Sequence, residues 1–138
     1  MKSFLVVASV LWLGLATGSR VAAQTASSPA ALQGAWQVVE LKDDSGTVND
    51  PAPGLYVFTK KHYSIVEITS RAGAGAAPGE LRGQSGTYDV STGRITFTAL
   101  VARNPAAIQR PAQGTYTLAG DVLTITTGNV VRKFKRLE

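Results

Sequence analysis

Residues 54–68 read Gly54-Leu-Tyr-Val-Phe-Thr-Lys-Lys-His-Tyr-Ser-Ile-Val-Glu-Ile68, two alternating apolar runs hinged on Lys60-Lys61. A two-residue turn there pairs Thr59 with His62, Phe58 with Tyr63, Val57 with Ser64 and Tyr56 with Ile65. Cross-strand partners share a face, so the hairpin has two. One carries Leu55, Val57, Ser64, Val66 and Ile68; the other carries Tyr56, Phe58, Tyr63, Ile65 and Glu67. Both are largely apolar, and alternation alone does not choose which one faces a core. If the aromatic face points inward it lines a cavity with rings and one carboxylate. If it points outward it marks a partner surface.

The same two-residue period extends outward from the hairpin. Eight apolar and β-branched runs, at 34–41, 54–59, 62–70, 85–90, 94–101, 115–119, 122–127 and 129–137, are separated by glycine, proline, asparagine and aspartate. Short turns at Lys60-Lys61, Ser91-Thr-Gly93, Gly120-Asp121 and Gly128-Asn129 require antiparallel neighbours, since a parallel return needs a crossover. Longer loops are expected at 42–53, 71–84 and 102–114, with 105–109 the one short helix. Eight meandering strands remove their two open edges by closing into an antiparallel up-and-down barrel. A two-sheet sandwich is the alternative.

The chain of 138 residues predicts one domain. Lys2, the apolar stretch 4–15 and Val21-Ala22-Ala23 have the form of a secretory signal over 1–23, too short to span a bilayer. Cleavage near Ala23 exports a mature chain of 115 residues to the periplasm or medium, starting with a small, polar linker over 24–33 and continuing as a barrel domain over 34–138. Loss of Lys2 and Arg20 leaves 12 basic and 9 acidic residues. The cluster Arg132-Lys-Phe-Lys-Arg136 reads as a solvated strand face rather than a nucleic-acid site. Cysteine is absent, so the domain relies on a hydrophobic core instead of disulfides.

Leu32-Gln-Gly-Ala-Trp36, the 54–59 run followed by His62-Tyr-Ser64, Gly86-Thr-Tyr88 and Arg103-Asn-Pro105 together resemble the bacterial lipocalin-like domains. The resemblance covers about 32–137. It implies an eight-stranded calycin barrel with a ligand in its interior, and an arginine of the last strand packed over the first-strand tryptophan. Geometry points the same way, because closing an even-stranded meander brings Trp36 near Phe134 or Arg136. Arg132, Phe134 and Arg136 share a face. Gly34, Trp36, Phe134 and Arg136 are thus the expected closing set, with Arg136 in a cation–π contact. A surface Arg136 with Trp36 packed on Phe134 is the alternative.

Chemistry is sparse. His62 is the chain's single histidine, Ser64 lies two residues on, and no G-x-S-x-G elbow is present, so no catalytic residue is assigned. One histidine and scattered carboxylates give no zinc spacing. Asp43, Asp44 and Asp50 lack a calcium-loop pattern, and Gly73-Ala-Gly75 lacks the lysine and helix of a phosphate loop. Neither metal nor cofactor is expected. The ligand-binding candidates are Tyr56, Phe58, Tyr63, Glu67, Tyr88, Phe97, Tyr116 and Arg103, with Leu118, Leu123 and Ile125 in the same inward set. Arg103 either reaches over the mouth to an anionic ligand or bonds backbone carbonyls.

Three functions compete. The first is an exported, monomeric barrel holding a small apolar or amphipathic ligand, which predicts an open cavity rather than a filled interior. The second is a protein-interaction module, such as a protease inhibitor or envelope partner. The third is a barrel enzyme using Glu67 as base and a tyrosine as acid, which requires a buried Glu67.

Overall fold

The computed structural model describes residues 28–49, 51–68 and 79–138. The secretory signal, the first part of the linker, Asp50 and the glycine-rich stretch around Gly73 lie outside the described residues. The described chain forms nine strands: β1 (Gly34–Asp43), β2 (Gly46–Asn49), β3 (Gly54–Phe58), β4 (His62–Ile68), β5 (Leu81–Ser91), β6 (Arg94–Ala102), β7 (Ala112–Ala119), β8 (Val122–Thr127) and β9 (Val130–Arg136). All pairings are antiparallel. β1 and β3 to β9 form an up-and-down meander, and pairing of β9 with β1 closes it into an eight-stranded barrel. The sandwich alternative is thereby set aside.

The ninth strand corrects the reading of 42–53 as a loop. β1 runs on to Asp43, turns through Asp44-Ser45, and returns as β2, paired from Glu40 opposite Asn49 to Asp43 opposite Gly46. Asp43 Oδ1 accepts from Ser45 N at 2.8 Å and from Ser45 Oγ at 2.5 Å, which fastens the turn. β2 and β3 thus pair successively along one edge of β1. β5 also starts four residues before its expected position, opposite Ile68.

Registers of the central hairpin follow the two-residue turn: Phe58 faces Tyr63, Val57 faces Ser64 and Tyr56 faces Ile65. The aromatic face is the inner one. Tyr56, Phe58, Tyr63, Ile65 and Glu67 are buried, while Leu55 and Val66 on the opposite face are 42 % and 50 % exposed. The core therefore runs along the barrel axis as one cluster from Leu32 and Trp36 to Tyr56 and Phe134. Gly86 lies where β6 bulges, between Ser85 and Gly86 in register. A Cβ there would overlap Thr98 O and the Ala99 backbone, so only glycine allows the two strands this close.

The end of the barrel nearest Trp36 is capped by a short 3₁₀ turn, Pro29–Leu32, where a linker was expected. Ser28 caps it through its hydroxyl, and Leu32 is fully buried. Ser-Pro is the ordinary opening of such a turn, with proline at a position whose N–H has no partner to lose. A second 3₁₀ turn, Pro105–Ala107, falls within the expected 105–109.

Candidate functional site

The two ends of the barrel differ in chemistry. At the capped end, Trp36 Nε1 donates to Leu32 O at 2.8 Å, and the Arg136 guanidinium lies 4.1 Å from the centre of the Trp36 ring. Arg136 also donates to Gln33 O and, at 2.9 Å, to Ala31 O, so one side chain ties the last strand to the cap. Phe134 is fully buried opposite Val38. Gly34 has a φ of 128°, and a Cβ there would strike Glu138 O and the Arg136 guanidinium. The expected closing set thus meets at one end, and its work is structural.

Above it, the expected cavity wall is core. Phe58 meets Tyr88 edge-on at 5.1 Å between ring centres, Tyr63 meets Phe97 at 4.9 Å, and Tyr56 meets Phe134 at 4.7 Å. Tyr116 is 2 % exposed among them. Rings in edge contact across a barrel leave them packed against one another rather than around a ligand. Phe58, Tyr63, Tyr88 and Phe97, expected as ligand wall, thus pack on one another, and Tyr116 is buried in the same cluster. Tyr88 Oη donates to Thr59 O and Pro29 O, serving the cap. Tyr63 Oη, fully buried, has no hydrogen-bond partner among the described residues.

At the opposite end the interior turns polar. Glu67 of β4, 8 % exposed, accepts from Tyr56 Oη on Oε2 at 2.9 Å. Its Oε1 accepts from Arg82 at 2.9 Å and lies 3.4 Å from Arg132 Nη2. Arg82 is the direct cross-strand neighbour of Glu67 on β5. Arg132 comes from β9 on the far side of the mouth. It faces inward opposite Leu41, because a bulge between Val38 and Glu40 shifts the alternation of β1 by one residue. Burial is the main reason the Tyr56 phenol is held well above its usual value; Arg132 opposes the shift and Glu67 adds to it. Tyr56 therefore stays a proton donor to the carboxylate across the physiological range.

These groups border a cavity of about 270 Å³ at the mouth, with aliphatic walls from Val38, Leu41, Val130 and Pro51. Asp43 also lies on its rim, with Oδ1 engaged by Ser45. A larger groove of about 470 Å³ runs beside the mouth between the start of β5 and 102–107, but of the Glu67 network only the half-exposed Arg82 reaches it. Arg103 lines that groove and donates to Leu81 O at 2.6 Å, so it braces β5 rather than covering the mouth.

The histidine, serine and glutamate of the hairpin do not converge. His62 is exposed in the turn, where its backbone exchanges hydrogen bonds with Thr59. Ser64 Oγ shares a hydrogen bond with Ser85 Oγ at 2.9 Å, and Glu67 points to the other face. Sequence reasoning missed Arg82, which it placed in a loop, and Arg132, which it placed on a solvated face. The inward face that Arg132 shares with Phe134 was the available signal.

A closed eight-stranded meander, capped at one end and, among the described residues, bordered by a polar mouth at the other, defines a lipocalin-like barrel. The chain is similar in structure to a lipocalin-like protein from Bacteroides uniformis, with a TM-score of 0.54 and 16% identity over 78% of this chain and 99% of that one. It is also similar to an uncharacterized protein from Bacteroides eggerthii, with a TM-score of 0.54 and 14% identity over 75% and 98% of the two chains. No protein-family model matches the sequence, and no curated protein does.

Proposed function

We propose that the protein is an exported, non-catalytic, monomeric barrel that binds a small amphipathic ligand at its mouth. The observation that carries this reading is the 270 Å³ cavity, where aliphatic walls meet three convergent charged groups, Glu67, Arg82 and Arg132. Small-molecule sites have that composition, apolar surface with a few placed polar groups. The ligand sits above the aromatic core rather than within it. Export rests on the leader-like start at 1–23. The test is an amide-resolved NMR titration of the mature chain with eight-carbon amphiphiles. Saturable shifts confined to Val38, Leu41, Glu67, Val130 and Arg132 are expected. Shifts scattered over the surface, or none, would refute it.

A protein-interaction role is the second reading. It draws on the outer face of β3 to β5, where Leu55, Val66, Ile68 and Leu81 are 38–53 % exposed beside one another. Val66→Glu separates the two readings: ligand titration is unchanged under the first, and partner association is lost under the second.

A further inference from the structure

Resting on the mouth reading, we infer that the group recognised there is a carboxylate: the ligand is a small aliphatic monocarboxylic acid whose head engages Arg82 and Arg132 and whose tail lies along the aliphatic wall. Two guanidiniums share one carboxylate oxygen, Glu67 Oε1. Each guanidinium carries five donors in a planar fork suited to carboxylates. The triad of Arg82, Arg132 and Glu67 has one positive charge in excess, and it is partly withdrawn from solvent, with side chains 16 % exposed for Arg132 and 10 % for Glu67. A monoanion neutralises that excess, whereas a dianionic phosphate ester overshoots it and a cation adds to it. The other rim carboxylate, Asp43, stays ionised, since its hydrogen bonds from Ser45 hold its carboxyl below the usual range. It is only partly buried and turned to its own hairpin, so the excess belongs to the triad rather than to the rim as a whole.

Size narrows the class further. The cavity of about 270 Å³ matches about nine waters at liquid density, hence a molecule of about ten non-hydrogen atoms. Octanoate has that size and serves as the probe.

The geometry also gives Glu67 a distinct part. It holds the two arginines at the mouth in the absence of ligand, and it competes with an incoming carboxylate for the same donors. Its neutral amide therefore frees the guanidiniums without emptying the site.

The experiment compares octanoate, octyl phosphate, octan-1-ol and octylamine by NMR titration of the mature chain. Octanoate is expected to bind about a hundredfold tighter than octan-1-ol, about tenfold for the charge-assisted hydrogen bond to each arginine, with octyl phosphate between them and octylamine weakest. Arg82→Met and Arg132→Met each remove about that tenfold for octanoate and leave octan-1-ol unchanged. Arg82 is the safer probe of the two, because its half-exposed side chain carries little of the core. Glu67→Gln raises octanoate affinity and not octan-1-ol affinity, an outcome that a purely structural ion triad does not give. Equal binding of acid and alcohol, or indifference of octanoate to Arg82→Met, overturns the carboxylate inference and leaves the mouth site standing. Tighter binding of octyl phosphate than octanoate replaces the class. Absence of mouth shifts with all four removes the site and the inference together.

Discussion

Raising the pH above 10 should destabilise this barrel through its tyrosines. The chain has four, Tyr56, Tyr63, Tyr88 and Tyr116, and all are 4 % exposed or less in the core. Burial raises each phenol above its ordinary value of 10, reinforced for Tyr88 by Tyr116 and opposed for Tyr63 by Arg82. A pKa raised on folding means that the native state holds protons which the unfolded chain has released. The associated stability is complete below pH 10 and is lost as pH climbs from 10 toward the folded values. Each tyrosine that ionises only on unfolding contributes a slope of about 1.4 kcal/mol per pH unit, so four give up to about 5.5. With Tyr56 raised most and the other three less, that full slope holds just above pH 10 and then falls towards the roughly 1.4 kcal/mol per pH unit of Tyr56 alone. The loss is a substantial part of a stability of about 5–15 kcal/mol. The assay follows tyrosinate absorbance at 295 nm and far-ultraviolet circular dichroism in the same samples. The two should move together, and Tyr56→Phe should lower the slope more than any other Tyr→Phe variant. Tyrosinate appearing near pH 10 with the β-sheet signal intact would refute the argument.

Two further predictions concern the capped end. Arg136→Met removes the contact over Trp36 and two charged hydrogen bonds to Ala31 O and Gln33 O, for a loss of about 3 kcal/mol in urea unfolding followed by Trp36 fluorescence. Asp121→Asn, which removes only the 3.6 Å pair of Arg136 with a 77 % exposed carboxylate, should cost less than about 0.5 kcal/mol. Leu32→Ala tests whether the 3₁₀ turn is a plug: a fully buried leucine costs about 3 kcal/mol by the same measurement, whereas a linker residue costs nothing.

The legible parts of the fold are those where one face is apolar and the turns are short. The Lys60-Lys61 turn fixes the β3–β4 register because slipping it by one residue would exchange Tyr56 and Phe58 for Leu55 and Val57 on the inner face. What alternation could not supply was the direction of the hairpin, since Leu55, Val66 and Ile68 on the outside are as apolar as the rings within. It also fails where the interior becomes polar. Arg82 and Gln84 open β5 on the inward phase of Tyr88, yet they read as loop because neither is apolar. The bulge after Val38 has no marker in Val38-Val39-Glu40, so the inward turn of Leu41 and its pairing with Arg132 were hidden, although the face Arg132 shares with Phe134 was not. Polar β2 was lost for the same reason, with Val48 its single large apolar residue.

Those blind spots coincide with the mouth, and stability explains why function should collect there. A chain of 138 residues without cysteine must hold itself together through one core. Cavities in such cores cost about 24 cal/mol per Å³, so hollowing out about 300 Å³, the lower bound of an ordinary ligand pocket, would cost about 7 kcal/mol. That is about half or more of the stability a domain of this size has. The axis instead carries rings that meet at 4.7–5.1 Å. At the mouth the strands still converge, but water can hydrate what the core cannot. There a glutamate and two arginines can be kept ready at a fraction of that cost, each compensated by the others. A larger barrel can separate its core from its cavity by distance. This one separates them by height along a single axis, which, under the proposed function, assigns recognition to Arg82, Arg132 and Glu67 and leaves the aromatic residues to the fold.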